Sequence, residues 1–127
     1  MIVDVDVGNT FVKWRYCNDV QVHRQLLSEA VASWTCDFSG VERMRIACVA
    51  SAEHFEQLVS QAQGVRVDRA RVQAKFCGIE VAYANYEGFG VDRWLALHAA
   101  FRLIRGECIV VSAGSALTVD WLGEGGV

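Results

Sequence analysis

The chain of 127 residues contains no proline and no low-complexity stretch. That leaves no rigid linker and no sign of an internal domain boundary. It has no run of lysine and arginine, and its net charge is −3. Nucleic acid and anionic membrane surfaces are therefore poor partners. No apolar run approaches the ~20 residues of a membrane span, and no signal peptide is visible. Cys17, Cys36, Cys48, Cys77 and Cys108 form no C-x-x-C pair, and His23, His54 and His98 show no ligand spacing. An odd, scattered set of thiols speaks against a disulfide framework or a zinc site, and for reduced cysteines in a cytoplasmic protein. What remains is a chain that is 53% hydrophobic, enough to bury the core of one domain.

Residues 2–7, IVDVDV, alternate strictly, with Asp4 and Asp6 on one face and valines on the other. Gly8-Asn9 predicts a hairpin turn, Thr10 to Tyr16 a second strand, and Val20 to Leu26 a third. Leu27 to Trp34 reads as a short helix with Ser28 as a possible cap. Arg45 to Ala50 reads as a buried strand, and Ala52 to Gln63 as a helix capped by Ser51 and closed by Gly64. A short strand at Val65 to Val67 and an extended piece at Ile79 to Ala82 precede the longest helix. That helix runs from Val91 to about Arg105, is stopped by Gly106, and carries Trp94, Leu95, Ala99, Phe101 and Ile104 as its apolar residues. Cys108 to Val111 predicts a buried strand, and Ala116 to Leu122 the strand after a tight turn at Ser112 to Ser115. A meander of strands followed by alternating helices and strands implies α/β: one mixed sheet with helices packed on it. The glycine turn at Gly123 to Gly126 has no return strand, so the chain is expected to be part of a longer protein.

Three stretches carry chemistry. In YANYEGFGVDRWLAL, Tyr83 to Leu97, glycines break the backbone and a helix follows with Asp92 and Arg93 in its first turn. Helix starts offer spare N–H donors and positive potential. There Asp92 suits a proton acceptor and Arg93 a clamp on a substrate oxygen. A capping Asp92 and a surface Arg93 are the plainer alternative. The turns Gly8-Asn9-Thr10 and Gly114-Ser115 each follow a strand and offer backbone N–H groups and a hydroxyl to a phosphate. Ordinary tight turns would look the same. Asp6 suits a hydrated Mg²⁺, and Lys13 a phosphate oxygen. The G-x-x-x-x-G-K-[ST] spacing of a P-loop is absent.

Together these stretches resemble the type III pantothenate kinases, members of the actin-like, sugar-kinase-like ATPase superfamily. DVGNTFVK, Asp6 to Lys13, resembles the first phosphate motif. Tyr83 with GVDRW, Gly90 to Trp94, resembles the substrate and catalytic motif, and AGSALTVD, Ala113 to Asp120, the second phosphate motif. The resemblance implies a single N-terminal, RNase H-like lobe over residues 1–127. It implies phosphorylation of pantothenate by ATP with Mg²⁺, the opening step of coenzyme A synthesis, and a homodimer with its site at the interface. Asp6, Val7, Gly8, Asn9, Thr10, Phe11, Val12, Lys13 and Ser115 would hold ATP and its metal. Tyr83, Gly90, Val91, Asp92 and Arg93 would hold pantothenate, with Asp92 as catalytic base. Two positions depart from the pattern. Ser112 stands where the family commonly has the carboxylate that binds K⁺ or NH₄⁺, and Ser115 where threonine is frequent. Family chains also continue into a second lobe, so residues 1–127 alone are expected to be inactive. A non-catalytic accessory protein of the same fold is the alternative. A purely structural copy has no need of Asp6, Lys13, Asp92 and Arg93 together, and GVDRW argues against a sugar or acetate kinase.

Overall fold

The alternation of IVDVDV becomes β1 (Ile2–Val7), the central strand of a five-stranded sheet. The computed structural model of the protein describes residues 1–82 and 85–123. These fall into two units, Met1–Ala70 and Arg71–Val127.

In the first unit β1 is followed by β2 (Phe11–Tyr16), β3 (His23–Leu26), α1 (Leu27–Ala30), β4 (Arg43–Cys48), α2 (Ala52–Val59) and β5 (Arg66–Arg69). The sheet order is β3-β2-β1-β4-β5. β2 is antiparallel to its two neighbours, while β4 and β5 run parallel to β1. This is the mixed α/β sheet expected for an actin-like ATPase lobe.

Register places Val3, Val5 and Val7 on one face with Val12, Trp14, Met44, Ile46 and Cys48, and all eight are buried. Leu27 and Ala30 of α1 and Leu58 of α2 belong to the same core. Each fully buried valine contributes about 1.5–3 kcal/mol of hydrophobic stabilisation, so this face holds the unit together. The other face is charged. Asp4 lies opposite Arg15 and Arg45, and Asp6 opposite Lys13 and Ala47.

α1 is shorter than the expected helix over residues 27–34. Two glutamines take the backbone groups that would have extended it. Gln61 donates to the Ala30 carbonyl at 2.8 Å and accepts from the Trp34 amide at 2.8 Å. Gln25 donates to the Ser33 carbonyl and accepts from the Thr35 amide, both at 2.9 Å. Ser28 caps nothing, because α1 begins directly off β3 and the Leu27 amide donates to the Thr10 carbonyl at 2.8 Å. Ser51 does cap α2, accepting from the His54 amide at 3.2 Å. The regular helix ends at Val59, and turns carry the chain on to Gly64.

The second unit opens with β6 (Lys75–Phe76) and β7 (Ile79–Glu80). They are joined by Cys77 and Gly78, whose φ of 48° and 86° are those of a two-residue hairpin with both central residues left-handed. A 3-10 turn at Tyr86–Gly88 leads to α3 (Val91–Ile104), β8 (Cys108–Ala113) and β9 (Leu117–Leu122). α3 stops at Arg105, which itself adopts the left-handed φ of 56°, one residue before the expected Gly106. Its buried residues are Val91, Trp94 and Leu97, whereas Leu95, Leu103 and Ile104 are exposed. The helix packs on β8 and β9, and its buried residues all lie in its N-terminal half, so the expected apolar residues were only partly the right ones.

β8 is not the buried strand that C-I-V-V suggested. Register pairs Ile109 with Trp121, Val111 with Val119 and Ala113 with Leu117 on one face of the β8–β9 hairpin, and the five large residues among them are all exposed. The inward face carries Val110, Ser112, Thr118, Asp120 and Leu122.

Candidate functional site

In the first unit the Gly8-Asn9-Thr10 turn is closed by the Gly8 amide, which donates to the Phe11 carbonyl at 2.9 Å. Asp6 and Lys13 are direct cross-strand partners at the base of this turn, and both are exposed. Asp4, one residue pair further along, is committed to structure. Arg45 grips it with two hydrogen bonds, of 2.6 and 2.8 Å. Asp6 faces Ala47 instead, which has no charged side chain to grip it as Arg45 grips Asp4. Val7 and Val12 are fully buried and offer a ligand only their backbone. Arg24 covers the ring of Phe11 at 4.6 Å.

These residues fit a nucleotide-bound Mg²⁺. Among the described residues no three His, Cys, Asp or Glu side chains gather as a cage. Mg²⁺ keeps several waters and needs only one or two carboxylates plus phosphate oxygens. Asp6 would supply such a carboxylate, and Lys13 with the Asn9 and Thr10 amides would face the phosphates.

In the second unit the candidate residues Gly90 to Arg93 sit at the head of α3. Gly90 is the N-cap, Asp92 is exposed in the first turn, and its Oδ1 accepts the Arg93 amide at 2.9 Å. A Cβ on Gly90 would lie 2.8 Å from that same Oδ1, so any larger residue displaces the Asp92 carboxylate. Val91 points into the core. The Arg93 side chain turns away from Asp92 and forms a two-pronged ion pair with Asp120 of β9: Nε donates to Oδ2 at 2.9 Å, and Nη2 to Oδ1. Its guanidinium also lies 4.6 Å from the centre of the Phe89 ring. Asp92 is thus exposed at the N-terminal end of a helix, with its carboxylate accepting one backbone bond from the Arg93 amide. Arg93 is neither a surface residue nor a simple partner of Asp92.

Behind this head Trp94 stacks edge-on with His98 at 4.4 Å, and Phe76 of β6 meets both at 5.9 and 5.7 Å. Burial pushes the His98 imidazole below its ordinary pKa of 6.5. Its Nε2 is enclosed with no hydrogen-bond partner among the described residues.

Ser112 lies within β8 opposite Thr118, on the inward face, and not in a turn. The bend comes at Gly114 to Ala116, closed by the Gly114 amide donating to the Ala116 carbonyl at 3.1 Å, with Ser115 exposed at its tip. Tyr83 lies outside the described residues, as does most of the glycine turn at 123–126. Asp120 is the partner of Arg93 that sequence reasoning did not pick out, although one signal was present. In LTVDWL it shares its parity with Thr118 and Leu122, so a carboxylate falls on the inward side of a strand.

The sequence profile described as type III pantothenate kinase matches residues 2–127. Three proteins carrying that name illustrate the similarity. The one from Ectopseudomonas mendocina (strain ymp) is 34% identical over 140 residues, covering 99% of this chain and 54% of the relative. The one from Pseudomonas fluorescens (strain SBW25) is 31% identical over 140 residues, covering 99% and 55%. The one from Azotobacter vinelandii (strain DJ) is 30% identical over 139 residues, covering 99% and 54%. The chain spans about half the length of the curated relatives it matches.

Proposed function

This chain belongs to the type III pantothenate kinase family, and from that premise we propose that the intact protein transfers the γ-phosphoryl group of ATP to the hydroxyl of pantothenate. The observation that carries the reading is the head of α3. Gly90 clears room for the Asp92 carboxylate, which faces water, while Arg93 stands next to it in the chain with its plane fixed. Asp92 accepts the hydroxyl proton as the oxygen attacks phosphorus, and Arg93 holds a substrate oxygen. Catalysis of this kind is mostly positioning and charge neutralisation. The Gly8–Thr10 turn and Lys13 bind the phosphates, and Asp6 holds the Mg²⁺, which when bound neutralises phosphate charge.

Part of this machinery lies beyond residues 1–127. The relatives are about twice as long, and the outward face of β8–β9 is a surface on which further chain of the same protein would pack as a second lobe. We place the functional protein in the cytoplasm as a homodimer. No helix among the described residues is long and apolar enough to cross a membrane.

An ADP-release assay tests the reading. Pantothenate-dependent turnover is expected from the intact protein and none from residues 1–127 alone. Intact protein that releases no ADP with pantothenate overturns it.

Ser112 leads to a narrower expectation. A hydroxyl attracts a cation far less than a carboxylate does, so turnover should depend only weakly on K⁺ or NH₄⁺. Titrating K⁺ at constant ionic strength against a bulky organic cation checks this, and steep saturating activation at low K⁺ would count against it.

A further inference from the structure

Asp120 is the single buried charged residue among the described residues, 6% exposed, on a hairpin whose other face is bare hydrocarbon. A carboxylate in that position needs a partner, and its partner comes from 27 residues earlier in the chain. The geometry is the fork of a guanidinium on a carboxylate, with Nε on one oxygen and Nη2 on the other. Such a fork fixes a plane as well as a charge. Phe89 lies against that guanidinium at 4.6 Å and restricts it from a second direction. The backbone amide of the same arginine holds the Asp92 carboxylate. For stability alone a buried ion pair is a weak device, since a well-packed apolar pair of similar volume does as well or better. Its place beside Asp92 gives it another use.

We propose that Asp120 is a positioning residue of the phosphoryl-transfer site: by gripping Arg93 from β9 it sets the orientation in which Arg93 meets the substrate. This rests on the reading of the head of α3 as the substrate site. Asp120 itself touches no substrate. Asparagine keeps its size but can accept only one of the two N–H bonds, and it turns an N–H₂ donor toward the other guanidinium nitrogen.

The test uses the intact protein with two readouts. The first is the Arg93 Nε–H signal in NMR, assigned by its loss in Arg93→Gln. It is expected to be protected from exchange in the wild type and to lose that protection in Asp120→Asn. The second is kinetic. Asp120→Asn is expected to raise KM for pantothenate about 10–100-fold, as misplacement of a binding group does. KM for ATP should stay within about twofold, because Arg93 and not the nucleotide site is disturbed. In an Arg93→Gln background the same change should add less than about threefold, since residues acting through one another are not additive.

An unchanged KM for pantothenate in Asp120→Asn, or an effect that multiplies in full on Arg93→Gln, overturns the proposal. Should Asp120→Asn fail to fold, Asp120→Glu keeps the charge but moves it by one methylene, and the same rise in KM is expected of it. An intact wild type that does not use pantothenate refutes the functional reading. The Nε–H signal still decides whether Asp120 fixes Arg93, and a signal equally protected with and without the carboxylate refutes that.

Discussion

In residues 1–70 the sheet turns its valines inward under α1 and α2 and leaves ion pairs such as Asp4–Arg45 facing water. In residues 71–127 the β8–β9 hairpin does the reverse. Its inward face holds Asp120, Thr118 and Ser112, and its outward face shows Ile109, Val111, Leu117, Val119 and Trp121, the last 69% exposed. The first unit satisfies its hydrophobic residues with its own helices. The second has one long helix for two faces, and uses it on the face that carries the Arg93–Asp120 pair. A contiguous bare apolar strip of this kind marks a surface built to be covered. The difference separates a unit whose hydrophobic pattern is explained by its own core from one whose outward hydrophobic residues find no cover among the described residues.

The strongest way to sharpen that contrast is to remove chemistry without touching packing. Asp92→Asn in the intact protein is expected to lower kcat by about 10²–10⁴-fold, the usual contribution of a positioned general base. Its melting temperature should barely move, because asparagine accepts the Arg93 amide as well as aspartate does. A rate within a few-fold of wild type would make Asp92 merely a cap.

The next comparison is between packing and bare surface. Met44→Ala in the first core should destabilise that unit by about 2–5 kcal/mol in urea unfolding. Trp121→Ser on the hairpin should change the stability of residues 1–127 by no more than about 0.5 kcal/mol, as surface changes do. In the intact protein the same tryptophan change should be clearly destabilising if the proposed lobe covers it. Equal small effects in both lengths would remove the argument for a cover.

The smallest expected effect concerns pH. The His98 pKa is lowered in the folded protein by burial. Between the lowered value and its ordinary value of 6.5 the unfolded chain therefore binds more protons than the folded one. The stability it contributes is present above pH 6.5 and is lost as pH falls below that value. Urea unfolding followed at a series of pH values should show this loss, and His98→Phe should flatten it. An unchanged slope in the variant would assign the pH dependence elsewhere.

The first unit was legible because its signals are local. Strict alternation in IVDVDV and a Gly8-Asn9 turn define a hairpin whose partners are neighbours in sequence. The head of α3 was legible for a similar reason: glycines, then an acid and a base, within the six residues from Gly88 to Arg93. What stayed hidden depends on distant contacts. C-I-V-V looks buried on composition, yet only one side of β8 meets α3, so Ile109 and Val111 fall outside. The length of α1 is set by Gln61, some thirty residues on, whose amide takes the carbonyls of Ala30 and Val31. Asp120 meets Arg93 only once the chain is folded, through an ion pair across 27 residues, and no short motif joins them.

The parallel pairing of β1 with β4 also sets a timetable. β1 and β2 meet through a turn of a few residues, Val7 opposite Val12, whereas Ile2 meets Arg43 only after the chain between them has been gathered. Closing the longer loop carries the larger entropy loss, and contacts of long range in sequence are the slow ones. The hairpin that shapes the Gly8–Thr10 turn is therefore expected to acquire structure early, with β4 arriving late to complete the sheet. Pulsed hydrogen exchange during refolding would check the order, through amide protection at Lys13 and Arg15, whose N–H groups face β1, ahead of Arg45 and Ala47 of β4. The Gly8–Thr10 turn, on this account, is a nucleus on which the rest of its unit condenses.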